Sequence, residues 1–349
     1  MDTSPNVLKR PTRNDVAALA NVSGCTVSYV LNGRQDIVIA PATRERVLDA
    51  AKQLGYRPNR AARALVTGTT QVVSLWAGSL SPYYAMITTH LRDQIKASGF
   101  QMLISDIETS ISTQAPGLWP GDGIISIEYP EHMDTFLHRH PDLHTPIISI
   151  GAFHLEQVDY VGVDLYGGTR DAIDHLLGIG CRRIAYVHEE APRGLQDART
   201  TSYADGMKAA GRPTEDIVVP SPSRAGARQG IREYIAKYGC PDGLFCHNDD
   251  TAIGVYRGLC DLGIQVPEQV AIVGCDGIED TEYLECPITT IVQPVEAMCA
   301  MGWEFLKRRM ADPAIPLQQH ICKTTLAIRG STAAPRTPSI SEPKEAPSP

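Results

Sequence analysis

The sequence of 349 residues predicts a small helical head followed by an α/β core in which buried parallel strands alternate with helices. Two observations lead to this fold class. Apolar residues recur at helical spacing through the first 65 residues, whereas from Gln71 short apolar runs alternate with amphipathic segments. The roughly 255 residues that follow the head are enough for two sheets.

Three helices are predicted in the head from the spacing of its apolar positions. Their apolar stripes are Val16, Leu19 and Ala20; Val27, Val30 and Leu31; and Val47, Leu48, Ala51 and Leu54. The segment "NRAARALVTG" behind them also has helical composition. Three helices in about 45 residues form a small bundle with one shared core.

Residues with capping side chains stand at the ends of these helices. Thr12 and Asp15 match a capping box for the first helix, and Ser23 can cap the second. Asn21 can adopt the left-handed conformation that a tight turn between the two needs. Gly55 is placed to end the third helix. The first two helices therefore have the spacing of a helix-turn-helix.

From Gln71 onward the pattern becomes strand followed by helix. The runs predicted as buried parallel strands are "VVSLWAG", "QMLIS", "DGIISI", "PIISIG", "RIAYVH", "DGLFCH" and "VAIVGCD". Amphipathic segments such as "GGTRDAIDHLLGIG" separate several of them. Residues 107–122 are broken by Pro and Gly, and the Pro/Ser-rich tail from about Ser331 is predicted to be disordered.

These patterns divide the chain into five segments. They are a flexible N-terminus at 1–10, a helix-turn-helix head at 11–58, a short helical linker at 59–69, a core at 70–330 and a tail at 331–349. Within the core we expect two α/β subdomains, one from about 70–162 plus 294–325 and one from about 163–293.

The net charge of −8 hides an asymmetry between head and core. Residues 1–65 contain ten Lys and Arg against five Asp and Glu, whereas the remainder contains 22 against 35. A basic head on an acidic core indicates that the head binds a polyanion. The alternative is a solvated basic surface without a partner.

Several function classes lack their sequence signatures. The nine cysteines are scattered, with no CxxC pair and no His at zinc-ligand spacing, so we expect neither disulfides nor a metal site. No cofactor motif is present. No apolar run approaches the roughly 18 to 20 residues that span a bilayer, and the polar N-terminus has no signal core. We therefore expect a cytoplasmic protein.

Two longer motifs extend the head beyond a generic helix pair. "T-x-x-DVA-x-x-A-x-VS-x-x-TVS-x-VLNGR" is followed by "TRERVLDAAKQLGYRPNRAARAL". Together, over about Thr12 to Thr69, they resemble the DNA-binding head of the LacI/GalR family of transcriptional regulators. "DGLFCHNDDTAIGVYRGLCDLGIQVPEQVAIVGCDGIED" resembles the effector core of the same family. That core is similar to periplasmic sugar-binding proteins, in which two α/β subdomains enclose a ligand cleft.

The resemblance assigns DNA contacts within the head. Positions that touch phosphates or groove edges in the family are matched by Thr12, Asn14, Ser23, Thr26, Ser28 and Asn32. Base-reading positions are matched by Gly24, Cys25 and Tyr29, none of which makes a bidentate contact with guanine or adenine. Cys25 is alternatively a tolerated small residue. We therefore expect specificity to depend on thymine methyls, on Tyr29 and on DNA deformability.

The linker resembles the family's hinge helix, which becomes ordered on DNA. Leu65 stands at the position of a leucine that wedges into a central minor-groove step and kinks the duplex. Neighbouring positions that would contact the DNA backbone are Arg57, Asn59, Arg60 and Arg63. The alternative is a charged linker with one buried leucine.

Polar residues at the ends of predicted strands match the family's effector positions. They are Asp164, Asn248, Asp276 and Gln293, with Ser79, Ser81 and Tyr84 as weaker candidates. Asp164, Asp249 and Asp276 could instead be turn or cap residues. The family usually places an arginine three residues before Gly206. This chain has Tyr203 there, and Arg199 is the nearest substitute, so both Arg199 and Tyr203 are included among the expected effector residues.

The resemblance implies an allosteric transcriptional regulator, commonly a repressor. It would bind a near-palindromic double-stranded operator as a homodimer, and a sugar, or less commonly a nucleobase, would be its effector. Two alternatives remain. A ligand-binding receptor of the same fold would need an export signal. An enzyme using Asp249, Asp250 and Asp276 would need a nucleophile with its base or a metal cluster, and no such motif is present.

Overall fold

The computed structural model describes residues 11–33, 36–57, 64, 67–79, 81–106, 121–128, 130–189 and 197–333. The linker positions Asn59, Arg60, Arg63 and Leu65 lie outside these residues, as does nearly all of the 107–122 segment. The chain separates into two units, residues 1–70 and residues 71–349, which are considered one at a time.

The first unit contains the three predicted helices. They are α1 (Arg13–Ala20), α2 (Gly24–Leu31) and α3 (Pro41–Leu54). The capping box of α1 is confirmed, since Thr12 accepts a hydrogen bond from the Asp15 N–H and donates its own N–H to Asp15 Oδ2 at 2.7 Å. Asn21 and Gly55 are left-handed, with φ of 51° and 64°, and end α1 and α3. Ser23 caps α2.

The core of the head is narrower than the predicted stripes. Val16, Val27 and Val47 are fully buried, but Leu19 and Leu48 are 46% and 49% exposed, so these two members of the predicted stripes lie largely outside the core. The buried core of the head combines valines with small residues of α1 and α3. The buried small residues are Ala17, Ala20, Ala50 and Ala51.

The second unit is built from strands and helices that alternate along the chain. Its strands are β1 (Val72–Ala77), β2 (Gln101–Asp106), β3 (Gly123–Ile127), β4 (Ile147–Gly151), β5 (Asp159–Asp164), β6 (Ile184–Glu189), β7 (Asp216–Val219), β8 (Gly243–Cys246), β9 (Ala271–Asp276), β10 (Thr289–Val292), β11 (Gln319–Lys323) and β12 (Thr325–Ala327). Its helices are α4 (Pro82–Ala97), α5 (Pro130–Arg139), α6 (Leu165–Gly178), α7 (Ala198–Ala209), α8 (Arg224–Tyr238), α9 (Asp249–Asp261) and α10 (Val295–Ala311).

The strands form two sheets of six. The order is β11-β5-β4-β3-β1-β2 in the first sheet and β12-β10-β9-β8-β6-β7 in the second. Neighbouring strands pair in parallel, except for β10 and β12, which are antiparallel. The two-subdomain α/β fold with parallel sheets is thus confirmed, and all seven predicted strands are present. Strands outside the prediction, such as β7 and β11, alternate or are largely exposed, so their apolar signal is weak.

The chain passes between the two sheets three times. It crosses after β5, between β10 and α10, and between β11 and β12. The expected first subdomain extended to residue 325, but β12 begins there and belongs to the second sheet because it pairs with β10. As α10 packs against α4 and against strands β3 to β5, the helix after the second crossing returns to the first sheet.

The described end of the chain is ordered further than expected. Ser331 and Thr332 are buried, so the prediction of disorder from Ser331 was wrong for these two residues. Ser331 Oγ donates to the Ile272 carbonyl at 2.6 Å and accepts from the Thr289 N–H at 2.8 Å. A small hydroxyl side chain can satisfy buried backbone groups, which composition alone does not reveal. Residues 334–349 lie outside the described part.

Two further properties concern the described ranges. None of their helices combines the length and apolar character needed to cross a bilayer. No group of three or more His, Cys, Asp and Glu side chains in these ranges is placed to hold a metal ion.

Candidate functional sites: a reading helix and a core cleft

The base-reading positions lie at the start and on one side of α2. Cys25 is exposed, whereas Gly24, Ser28 and Tyr29 are half-buried. Cys25 and Tyr29 are four residues apart and therefore lie on the same face of the helix. The predicted reading face is thus accessible at Cys25 and carries little hydrogen-bonding capacity of its own.

Hydroxyl groups predicted to touch DNA also hold the helix ends together. Thr12 Oγ1 lies 2.7 Å from Asp15 Oδ2, to which it donates. Ser23 Oγ accepts from the Thr26 N–H at 3.1 Å, and the two hydroxyl oxygens are 2.9 Å apart. These contacts cap the first turns of α1 and α2. The remaining described candidates, Asn14 and Arg57, are exposed, and Asn32 follows the last residue of α2.

In the second unit, a chain of hydrogen bonds connects the carboxyl ends of strands from both sheets. Tyr83, at the start of α4, donates its hydroxyl to Gln293 Oε1 at 2.9 Å. Gln293 lies just after β10 and donates Nε2 to Asp276 Oδ1 at 2.9 Å. We call the region where these strand ends meet the cleft. Two predicted effector residues, Asp276 and Gln293, are therefore in direct contact with each other.

Asp276 is held in a strained and buried position. Its φ of 129° is rare for a residue with a side chain, and only 7% of its surface is exposed. Burial raises the pKa of this carboxyl well above its usual value, and the negative charge of Asp249 raises it further. Arg199 acts in the opposite direction. A group under such strain is typical of a binding site.

Asp249 supports the loop that follows Asp276. Its carboxylate accepts hydrogen bonds from the N–H groups of Gly277 and Ile278 at 2.7 and 2.9 Å and from Thr290 Oγ1 at 2.6 Å. Burial raises the pKa of Asp249 to about 6, although these hydrogen bonds oppose the shift. Its carboxylate is thus committed to holding the loop in place.

The sequence position expected for a cleft arginine holds Tyr203, but the residue that lies near Asp276 is Arg199. Tyr203 is 1% exposed, and its hydroxyl donates to the Ile184 carbonyl at 2.8 Å and accepts from the Glu215 N–H at 2.8 Å. The prediction that Tyr203 binds an effector was therefore wrong, because its large ring fills the core behind α7. Arg199, one helical turn earlier, is the cation near Asp276.

A buried ion pair fixes the Arg199 guanidinium. Nη2 and Nε donate to Asp197 at 2.8 and 3.0 Å, and Nη1 donates to the His247 carbonyl at 2.9 Å. Burial would raise the pKa of Asp197, but the charge and hydrogen bonds of Arg199 lower it to about 2. Burial and the nearby guanidinium lower the pKa of His247 to about 3. Sequence reasoning did not identify Asp197 or His247.

Glu128, directly after β3, is a further residue that the sequence reasoning missed. Its φ is 56°, and its carboxylate accepts from Tyr84 Oη at 2.9 Å and from the Ala152 N–H at 3.4 Å. A Cβ on Gly151 would lie 2.5 Å from Glu128 Cγ, so only glycine leaves room. After burial, the Glu128 charge is the next cause of the raised pKa of Tyr83. The available signal was an acidic residue at the end of the run "GIISI".

Other predicted effector residues cap helices or form turns. Asp164 Oδ1 accepts from the Gly167 N–H, and Asn248 Oδ1 accepts from the Thr251 N–H, both at 2.8 Å. The Asn248 cap uses only the oxygen of its amide. Ser79 Oγ accepts from the Ser81 N–H at 3.1 Å. In the structure, Asp164 and Asn248 are therefore N-cap residues of α6 and α9.

A separate surface groove of 330 Å³ lies on the second unit. Its lining residues are Arg224, Ile253, Glu279, Asp280, Tyr283 and Leu284. None of these is a predicted effector residue, and Arg224 is paired there with Asp250 and Asp280 at 2.6 and 2.8 Å. The groove is therefore distinct from the group formed by Tyr83, Gln293 and Asp276.

Comparison with known families matches both units. Residues 12–59 match the family described as bacterial regulatory proteins, lacI family. Residues 173–332 match the periplasmic binding protein-like domain. The first match covers the head, and the second covers the larger part of the second unit.

Similar proteins span nearly the whole chain. The HTH-type transcriptional regulator CelR of Thermobifida fusca is 31% identical over 93% of this chain and 98% of its own length. The HTH-type transcriptional repressor MelR of Bacillus subtilis is 30% identical over 91% and 96%. The ribose operon repressor of Escherichia coli K12 is 27% identical over 92% and 99%.

Solved structures show the same fold. A CelR–cellobiose complex has a TM-score of 0.65 and 28% identity, covering 92% of this chain and all of the other. A lac repressor dimer bound to operator and an anti-inducer has a TM-score of 0.77 and 21% identity, with 93% of this chain and 100% of the other covered.

Proposed function

Because this chain belongs to the LacI family of bacterial regulatory proteins, we propose that it is a cytoplasmic repressor whose binding to DNA is controlled by a small saccharide in the cleft. The observation that carries the saccharide proposal is the contact of Tyr83, Gln293 and Asp276 between strand ends of the two sheets. Sugar hydroxyls both donate and accept hydrogen bonds, and this group offers an amide, a carboxylate and a phenol.

Relatives support a saccharide as the ligand class. CelR was solved as a complex with cellobiose, and a LacI-family regulator from Enterococcus faecium was solved with bound ribose. The carboxylates of Asp276 and Glu128 can accept hydrogen bonds from hydroxyl groups, whereas the Arg199 guanidinium can donate. Asn248 and Asp164 stay candidates through the atoms that their caps leave unused.

The hydrogen bond between Tyr83 and Gln293 suggests how ligand binding in the cleft could change the conformation of the rest of the core. A saccharide hydroxyl that donates to Gln293 Oε1 competes with Tyr83 for that oxygen, so it favours a different arrangement of the two sheets. A ligand shifts an equilibrium only by the difference in its affinity for the two arrangements. The hydrogen bond from Tyr83 provides such a difference, because it joins elements of opposite sheets.

For the head, we propose that α2 enters the major groove with Gly24, Cys25 and Tyr29 toward the bases. Thr12, Asn14, Ser23, Thr26, Ser28 and Asn32 would contact the backbone or groove edges. Arg57, Asn59, Arg60, Arg63 and Leu65 would act at the hinge.

A homodimer would place two heads on a near-palindromic operator. Support comes from Leu103 and Ile104, which are 42% and 46% exposed on β2, the edge strand of the first sheet. Large apolar side chains on an accessible sheet edge are a common feature of subunit interfaces.

Selection of duplexes from a random pool by the full-length protein tests the DNA-binding part. We expect enrichment of a near-palindromic sequence, with affinity that falls as salt rises. Enrichment of no sequence would contradict the repressor proposal.

Thermal shift with cellobiose, ribose and nucleobases, followed by titration of the protein–DNA complex, tests the ligand class. A saccharide that raises the melting temperature and changes DNA affinity supports the proposal. A nucleobase that does so, with every saccharide inactive, would replace the ligand class and leave the regulator intact.

A further inference from the structure

Arg13, on the first turn of α1, lies beside the first residue of α2. A Cβ built on Gly24 would be 3.1 Å from Arg13 Nε, 3.5 Å from Cζ and 3.6 Å from Nη2. Three guanidinium atoms at similar distances indicate that the group covers the open side of Gly24. Arg13 is exposed, so its charge is accessible next to the start of the reading helix.

This placement bears on how the head can recognise a base. The first residues of a recognition helix are the ones that reach base edges. Gly24 has no side chain, and Cys25 offers only a weak thiol donor. Arginine is the side chain that most often makes the bidentate contact with O6 and N7 of guanine. The Arg13 guanidinium beside Gly24 therefore supplies the bidentate hydrogen-bond donor that the first residues of α2 lack.

We infer that Arg13 of α1 reads a guanine edge in each half-site and that Gly24 is small because Arg13 lies across it. The inference rests on the proposed function as a DNA-binding regulator. It revises the expectation, drawn from residues of α2, that specificity depends more on thymine methyls, on Tyr29 and on DNA deformability than on bidentate contacts. A phosphate contact is the competing role for an exposed arginine, and the two roles differ in what they do to sequence preference.

The first experiment removes the cation from the full-length protein. Wild type and Arg13→Met are compared by duplex selection and by titration of variants of the selected site. We expect wild type to require guanine at one position per half-site, and R13M to lose about 5- to 100-fold in discrimination at that position. Preferences at the other positions should be unchanged.

A second variant displaces the Arg13 guanidinium without removing its charge. In Gly24→Ala the new Cβ would lie 3.1 Å from Arg13 Nε, closer than ordinary contact, so the guanidinium must move. Alanine is a better helix former than glycine, so α2 should remain folded. We expect weaker guanine discrimination at the same position. In the double variant with R13M, G24A should have no additional effect on that discrimination.

Lys52→Met is the matched control, because Lys52 is an exposed cation on the last turn of α3. It should leave every base preference unchanged. The inference is overturned if R13M weakens all duplexes equally and lowers the slope of affinity against salt by about one, as a phosphate contact would. It is also overturned if the R13M and G24A effects add. A protein that selects no sequence would remove the repressor proposal and this inference together.

Discussion

At the scale of single residues, the cleft brings buried charges of opposite sign together. Asp276 and Arg199 are 7% and 6% exposed, yet each carries a group that water would otherwise solvate. Burying such groups costs free energy unless partners replace the water. Arg199 has Asp197, whereas the described contact of the Asp276 carboxylate is one amide of Gln293. A hydroxyl-rich ligand would provide the additional donors that this carboxylate can accept.

Asp276→Asn should separate ligand response from DNA binding. The amide keeps the size of the side chain but replaces one of its oxygens by an N–H donor, so it cannot make the same hydrogen bonds to the hydroxyl groups of a ligand. We expect about 10- to 100-fold weaker binding of the saccharide identified by thermal shift, with DNA affinity unchanged. Calorimetric titration and DNA binding measure the two properties. Full saccharide affinity in this variant would remove Asp276 from the site.

Asp197→Asn should destabilise the core and change its response to acid. Removing one partner of a buried ion pair leaves Arg199 unpaired, so we expect about 3 to 5 kcal/mol less free energy of unfolding. In the folded wild type the pKa of Asp197 is about 2, below the usual value of 3.8. The pair therefore contributes its stability above about pH 4, and that contribution is lost as pH falls toward about 2.

Denaturant unfolding of wild type and Asp197→Asn at pH 7 and pH 3 measures both effects. The difference between the two proteins should be smaller at pH 3. Asp174→Asn is the control, since its ion pair with Arg170 is more than a third exposed on both sides and should contribute less than about 1 kcal/mol. Equal losses in the two variants would contradict the buried-pair argument.

At the scale of elements, caps determine where the reading helix begins. Ser23→Ala removes the hydroxyl that accepts the Thr26 N–H, so α2 should lose about 1 kcal/mol of local stability. Hydrogen exchange of the Thr26 amide should become several-fold faster. Ser23→Asp supplies another acceptor and should restore protection, and failure to do so would argue against a capping role.

The linker is predicted to bend DNA through Leu65. Leu65→Ala shortens the proposed wedge, so we expect weaker specific binding and a smaller bend in the selected operator. End-to-end energy transfer on labelled duplexes reports the bend angle. The same angle with wild type and with this variant would exclude Leu65 as the wedge.

At the scale of the whole molecule, helical and strand periodicity predicted both units and the alternating core. Pattern alone did not show which cleft residues face one another. Tyr203 was assigned to the cleft because it stands at the position expected for a cleft arginine. The arginine that reaches the cleft is Arg199, one helical turn earlier. Glu128 and Asp197 were missed because single acidic residues at strand or helix ends look like ordinary caps. The proximity of Arg13 to Gly24 could not be predicted, because it depends on how α1 packs against α2 and not on the spacing of residues within one helix.

Subunit association can be tested at the edge of the first sheet. Leu103→Lys combined with Ile104→Lys places one charge on each face of the edge strand, so a partner packing on either face would meet a lysine, and we expect dissociation into monomers and weaker operator binding. Analytical ultracentrifugation measures the mass. Val218→Lys, at a side chain 55% exposed on edge strand β7, is the control. Dimers that persist with the double variant would place the interface elsewhere.

Three crossings of the chain between the two sheets restrict how the core can move. Three neighbouring tethers resist sliding and stretching but permit bending, so the remaining motion is rotation about one short axis. Gln293 lies on the second tether and is therefore close to that axis, so a small rotation about it would displace the far ends of the sheets by a larger distance. Along the chain, the head is followed directly by β1 of the first sheet, so a signal from the cleft to the head has to pass through that sheet.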